Sequence, residues 1–297
     1  MELSEKDSRK VLDFYLPGMI TIDGKTGLFP AISITGRSCA LGCVHCRGYL
    51  LQGMIHCETP EKLIDTLKML EKDGMLGALI TGGCLLDGTI PLMPFLERLS
   101  TFKTNLYLTC HAGLNVNREL ATAIKKAGIR QALIDVIGDE ETFREIYHLN
   151  DHSIIKKSLD NLYMYGPDIV PHVVIGVNRG KIKGEFEALN LIHYFSNKRV
   201  VLVVLMPDIL SAEPPPIDEV IEVFRYARQR FQEVSLGCAR PRGRYRRELE
   251  IRLIEEGLID RMALWSDDAL SHAEKSGYLL NFKYTCCSVD IHGTERD

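Results

Sequence analysis

The 297-residue chain has no apolar run of transmembrane length, and no basic start followed by an apolar stretch of signal length. Its opening, Met1-Glu2-Leu3-Ser4-Glu5-Lys6-Asp7, mixes charges instead, so a cytoplasmic protein without membrane contact is expected. It also lacks a strong charge of either sign. A net charge of -4 and a pI near 6.2 give no general attraction to nucleic acid or to an anionic membrane. No cysteine precedes Cys39, and only one Cys-x-x-Cys pair occurs, which removes the two-pair pattern of a closed structural zinc site. What the chain does have is nine cysteines and 45% hydrophobic residues. In a reducing compartment those thiols point to metal or reactive chemistry more than to disulfides. The apolar content suffices for one large domain.

Three of the thiols are concentrated in Ser38-Cys39-Ala40-Leu41-Gly42-Cys43-Val44-His45-Cys46, spaced three and then two residues apart. A [4Fe-4S] cluster ordinarily takes four thiolates, and a compact triplet with no close fourth cysteine leaves one iron open to a small molecule. The competing readings are a zinc site completed by His45, which strains the loop, or three unrelated thiols. Arg37, Gly42 and Gly48 read as an irregular loop in which thiols are exposed and reactive.

Along the chain, short β-branched runs alternate with amphipathic helical stretches, the pattern of βα units around a parallel sheet. Strands are predicted at Ala31 to Thr35, Ala78 to Thr81, Asn105 to Thr109, Ala132 to Val136, Val170 to Ile175 and Val200 to Met206. Thr59-Pro60-Glu61 supplies a cap, an N1 proline and an acid for the first helix, whose Leu63, Leu67 and Leu70 share one side. Glu233 to Gly237 offers a seventh strand, so a partial (βα)6 barrel and a fuller one both stand open. The expected organisation is an N-terminal extension over 1–29, a barrel core over 30–238, and a helical C-terminal extension over 239–297 with a cysteine pair. In such barrels the active site lies where the strands end. Thr81-Gly82-Gly83-Cys84, Cys110-His111 and Asp135-Val136-Ile137-Gly138-Asp139 all fall at predicted strand ends.

The triplet, placed after the first strand, resembles the signature of the radical S-adenosylmethionine (SAM) enzymes. The resemblance implies a partial TIM-like α/β barrel, a [4Fe-4S] cluster on Cys39, Cys43 and Cys46, and SAM on the open iron. It further implies SAM contacts from His45, Gly82, Gly83, Asp135 and Glu185. Each has a plainer reading: Gly82-Gly83 as a turn, Glu185 as a helix N-terminal acid. Cys84 occupies the place where the superfamily often has an acid.

Six further cysteines remain. Cys57 reads as a small apolar core residue. Cys84, Cys110, Cys238, Cys286 and Cys287 are candidates for an auxiliary iron-sulfur cluster, because an adjacent pair in the polar run Thr285-Cys286-Cys287-Ser288 is hard to explain by packing. Sulfur-inserting members of the superfamily consume such a cluster. Ser33-Ile34-Thr35-Gly36, Cys110-His111-Ala112-Gly113-Leu114 and Pro171-His172-Val173-Val174-Ile175-Gly176 resemble the biotin synthase-like branch, in particular a component of the archaeal-type two-protein lipoyl synthases. That likeness implies insertion of sulfur into a protein-bound octanoyl chain. Its implied partners are a second radical SAM protein, an octanoylated carrier protein and a low-potential electron donor. A single-chain lipoyl synthase is excluded by the missing N-terminal cysteine triplet.

Arg240, Arg242, Arg244, Arg246 and Arg247 form a basic run, read either as a solvated face or as a docking surface for an acidic carrier. His111, Arg240 and Arg242 are therefore candidate substrate or partner contacts. An RNA substrate lacks support, since no aromatic-interleaved basic stripe is present. A different radical SAM reaction, such as an amino-acid carbon-skeleton rearrangement or a methylation, is the alternative.

Overall fold

The computed structural model describes residues 10–18, 20–22, 24–207, 213–289 and 291. Strand β1 (Val11–Tyr15) precedes a small antiparallel hairpin, β2 (Thr21–Ile22) and β3 (Lys25–Thr26). Repeated units follow: β4 (Ala31–Ser33), β5 (Ile55–His56), α1 (Pro60–Lys72), β6 (Gly77–Thr81), α2 (Met93–Leu99), β7 (Tyr107–His111), α3 (Arg118–Lys126) and β8 (Gln131–Asp135). Then come α4 (Glu140–Tyr147), α5 (Ser153–Tyr165), β9 (Asp168–Ile175), α6 (Glu185–Phe195), β10 (Arg199–Val204), α7 (Ile217–Arg228) and β11 (Glu233–Leu236). The chain continues through α8 (Arg244–Glu255), β12 (Arg261–Ala263), α9 (Asp267–Lys275) and β13 (Leu279–Lys283).

Eleven strands form one parallel sheet in the order β13-β1-β12-β11-β10-β9-β8-β7-β6-β4-β5. Its edges are β5 and β13, so the curled sheet is an open, TIM-like half-barrel. The six expected strands are all present, and β11 is the seventh. Three more join the same sheet from the two segments read as extensions: β1 lies between β12 and β13, and the C-terminal segment interleaves strands with its helices. These escaped sequence pattern because β12 has only three residues and starts on an arginine, while β1 and β13 carry Asp13, Asn281 and Lys283 on the face away from the helices.

Local signals and packing agree along the repeats. Thr59 accepts a hydrogen bond from the Lys62 amide at 3.2 Å, with Pro60 opening α1; Asn117 and Asp139 cap α3 and α4 in the same way. Alternation along each strand then separates two apolar regions. Ile32, Ile80, Leu108, Ile134, Leu202, Val234 and Met262 pack beneath the helices in the main core. Tyr15, Leu133, Val170, Val201, Ala263 and Cys287 form a smaller cluster on the helix-free, concave face. Each fully buried leucine or isoleucine in the main core contributes about 1.5–3 kcal/mol, so the helix-covered side carries most of the stability.

Candidate active site

The cysteine loop leaves the end of β4 and is pinned on three sides. At its start, Ser33 Oγ donates to the Gly36 carbonyl at 2.6 Å, and Thr35 Oγ1 donates to that of Ser38 at 2.8 Å. Against the end of β6, the amides of Ala40 and Leu41 both donate to the Cys84 carbonyl, at 2.9 and 3.2 Å. Against α4, the Val44 amide donates to the Ile146 carbonyl at 2.8 Å. Between Cys43 and Gly48 the chain turns sharply, the amides of Cys46 and Arg47 both donating to the Cys43 carbonyl. The turn needs a left-handed conformation at Arg47 (φ 46°) and Gly48 (φ 72°), which favours glycine at the second.

Cys39 and Cys46 are half-buried and Cys43 is buried. Cys46 is lowered to about 4, first by its neighbour Cys43 and then, against the cost of burial, by His45, while Cys43 is raised. One thiolate is thus already favoured without any metal. Among the described residues, no three histidine, cysteine or carboxylate side chains converge on a single metal ion. A cubane places each thiolate on a different iron, so three thiols spread along one tight loop fit it where they do not fit a lone zinc ion.

Gly82 and Gly83 follow β6 against this loop. A Cβ on Gly83 would stand 2.0 Å from the Ser38 carbonyl oxygen and 2.6 Å from Cys39 Cα, while its amide donates to Thr35 Oγ1 at 2.7 Å. Close backbone approach of the cysteine loop therefore accounts for this glycine. Next to it, the Cys84 carbonyl lies 3.8 Å from Cys39 Sγ.

The other predicted SAM contacts lie on neighbouring strand ends. His45 packs against Tyr147 with ring centroids 4.9 Å apart. Glu185 opens α6 as expected of a helix acid, but its Oε1 turns back to accept from the Gly176 amide at 2.8 Å, and Oε2 is buried without a hydrogen-bond partner. Burial raises its carboxyl to about 7. Asp135, Val174, Lys183, Glu185 and Tyr147 line one recess at the ends of β8 and β9.

The register places Asp135 opposite His172, and His111 beside Leu133, all on the helix-free face. The imidazoles of His111 and His172 lie 5.8 Å apart. His172 Nδ1 is 3.0 Å from the Val170 carbonyl, which fixes the proton on that nitrogen; burial pushes its pKa down to about 4, so the ring is neutral near pH 7. Sequence reasoning passed over His172 as a site residue. Its signal was the alternation Val170-x-His172-x-Val174, which puts the imidazole on the inner wall.

The five auxiliary candidates separate. Cys110 is fully buried in the helix-facing core, because it alternates with the inward Thr109 and His111, so it stands away from any site on the concave face. Cys84 is held against the Cys39 end of the triplet's loop. Cys238 follows β11, and Cys286 and Cys287 follow β13, strands remote from β4 in the sheet order, with Cys287 on the concave face. There Arg261 Nη1 donates to the Cys287 carbonyl at 3.1 Å and Arg199 Nη1 to that of Ser288 at 3.0 Å, so the tail lies against the inner cluster. Cys286 is lowered to about 6 by a hydrogen bond from Cys287, whose own thiol is raised. Cys238 is accessible but walled by protein, and the resulting desolvation, followed by the charge of Cys286, pushes it up to about 12.

Arg240 is not a surface contact. It is 4% exposed and donates to Glu250 at 2.9 Å and to the carbonyls of Gly237 and Ala263 at 2.7 and 2.8 Å, as well as to that of Leu264. Its basic neighbours misled the sequence reading; a buried carboxylate ten residues on claims it. Arg242 is exposed.

Similarity to solved structures extends over most of the fold. Streptococcus suis SuiB bound to the precursor peptide SuiA superposes with a TM-score of 0.56 at 10% identity, over 84% of this chain and 51% of that one. SuiB bound to S-adenosylmethionine gives 0.53 at 13% identity, over 73% of this chain and 51% of that one. Methylornithine synthase (PylB) gives 0.51 at 12% identity, over 96% of this chain and 75% of that one. The chain thus has the half-barrel fold of these proteins, and it spans about half the length of SuiB. No protein-family model and no curated protein sequence matches it.

Proposed function

We propose that the protein is a radical SAM enzyme. The observation that carries this reading is the Cys39, Cys43, Cys46 loop at the end of β4 in a parallel half-barrel, the donor set for a cubane with one open iron. Its likeness in fold to SuiB, solved with S-adenosylmethionine bound, supports it. When bound, the cluster and SAM supply an electron and a 5′-deoxyadenosyl radical able to take hydrogen from an unactivated carbon. The protein's own residues position and exclude. His45 and Tyr147 form an aromatic surface for adenine, and Gly82-Gly83 bring backbone close to the methionine end. Asp135 and Glu185 offer carboxylates to the ribose and amino groups. The apolar cluster of Leu133, Val170 and Val201 further down the inner face limits the water that reaches the site.

The finer reading is sulfur insertion into an octanoyl chain on a carrier protein, as a lipoyl synthase component acting with a second radical SAM protein and a low-potential electron donor. Its support is the placing of Cys238, Cys286 and Cys287 after strands remote from β4, as donors for an auxiliary iron-sulfur cluster that would give up sulfur. A carbon-skeleton rearrangement is the second reading, favoured by likeness over 96% of the chain to methylornithine synthase and by the polar His111, Asp135 and His172 wall. Iron content after anaerobic reconstitution separates them: about eight irons with two cubanes, about four with one. Sulfur insertion predicts about eight, falling to about four in Cys286→Ala/Cys287→Ala. It also predicts a gain of sulfur by an octanoylated carrier peptide, read by mass spectrometry with and without a partner. Four irons in both proteins would sink it, and no 5′-deoxyadenosine from SAM under reduction would sink the enzyme reading.

A further inference from the structure

We propose that Cys84 is a displaceable fourth ligand: it holds the iron left open by Cys39, Cys43 and Cys46 while SAM is absent, and yields it when SAM arrives. The inference rests on the cluster reading above and adds a resting state to it. Of the six cysteines outside the triplet, Cys57 and Cys110 are sealed in the helix-facing core, Cys286 and Cys287 belong to the inner cluster, and Cys238 follows β11, remote from β4 in strand order. Cys84 is the one that joins the loop.

Its backbone is fused to the triplet. The Cys84 carbonyl takes the Ala40 and Leu41 amides and lies 3.8 Å from Cys39 Sγ, and the preceding Gly83 leaves no room for a Cβ against Cys39. These contacts hold Cys84 against the Cys39 end of the loop, with Cys39 Sγ facing its backbone. Cys39, Cys46 and Cys84 pack against the same core and are all half-buried, neither sealed away nor free in solvent. A thiol tied to the ligand loop meets the open iron as an intramolecular partner, without the entropy cost of capturing a solute ligand.

The exchange involves no redox change. On closing, the Sγ–H bond of Cys84 breaks, its proton goes to solvent and an Sγ–Fe bond forms. On opening, that bond breaks, the SAM amino nitrogen and carboxylate oxygen take the site, and the thiolate is reprotonated. Such a latch would protect the open iron from loss and make SAM compete for it.

The test uses full-length wild type, Cys84→Ala and Cys84→Ser, each reconstituted anaerobically with 57Fe. Mössbauer spectra without SAM, iron retained after mild ferricyanide oxidation, and SAM affinity by equilibrium dialysis are compared. The latch predicts that wild type keeps its fourth iron, whereas Cys84→Ala releases one iron to give a [3Fe-4S] electron paramagnetic resonance signal. It also predicts that Cys84→Ala binds SAM about tenfold more tightly, since no closed state competes. Cys84→Ser, with a weaker ligand, should fall between them. Equal iron loss and equal SAM affinity in all three would overturn the proposal. A wild type that loads no cluster dependent on Cys39, Cys43 and Cys46 would instead overturn the radical SAM reading.

Discussion

Two groups of thiols, one on the loop after β4 and one on the tail after β13, are held by different means. The triplet rides on a turning loop tied by backbone amides to β6 and α4, with two of its three thiols half-exposed. The tail group is held from within the barrel: Arg199 and Arg261 grip the carbonyls of Ser288 and Cys287, and Cys287 is 2% exposed among Tyr15, Val170 and Val201. The loop thus leaves two of its thiols within reach of solvent, whereas the tail shuts Cys287 among buried side chains. In both, neighbouring thiols shift in opposite senses, Cys46 and Cys286 being lowered while Cys43 and Cys287 are raised.

The contrast can be broken from the loop side first. On the radical SAM reading, Cys43→Ala should abolish 5′-deoxyadenosine formation and lower bound iron by about four, as counted by iron analysis. On the tail side, Arg261→Met removes one of the two buried guanidinium groups that face Glu233, Arg199 remaining 3.5 Å away, and releases the Cys287 carbonyl. A loss of about 1–3 kcal/mol in urea unfolding is expected, with Cys287 becoming open to alkylation. If Cys287 stays protected, the guanidinium is not what seals the tail.

Glu185 gives a pH signature between the two groups. Its carboxyl is raised to about 7, so the native state binds an extra proton; the stability this confers is complete below the ordinary carboxylate range and is lost as pH rises through about 7. Wild type should lose up to about 3 kcal/mol between pH 5 and 8 by this route, and Glu185→Gln should flatten that slope in denaturant titrations. A slope unchanged by the substitution would contradict the assignment.

Gly83→Ala drives a methyl into the Ser38 carbonyl and Cys39. It should cost about 1–3 kcal/mol and impair iron loading at the loop, with tail alkylation unaltered. The smallest effect is expected for Cys110→Ala, about 1 kcal/mol from lost burial with iron content unchanged. Loss of iron there would place Cys110 in a cluster after all.

Much of this was legible beforehand for definite reasons. Thr59-Pro60-Glu61 marks a helix start because caps act within one turn, and β-branched runs such as Val200 to Val204 mark buried strands because both faces are covered. The cysteine loop is legible because its three thiols lie within eight residues of one another. Arg240 was misread because a guanidinium in a basic run looks solvated until Glu250, on the next helix, is seen to bury with it. Cys110 was misjudged because being near a strand end says nothing of which face a side chain takes. That depends on parity against Thr109 and His111.

The sequence by itself determined the repeated βα order, the helix starts and the spacing of the three loop thiols, since each depends on residues a few positions apart. Only the tertiary structure decided where the remaining thiols lie. The Cys84 carbonyl meets Cys39 Sγ across 45 residues, and Cys287 packs against Val170 and Val201 on distant strands. Such contacts are set by how a parallel sheet curls and which face each strand residue takes, and no local spacing encodes either.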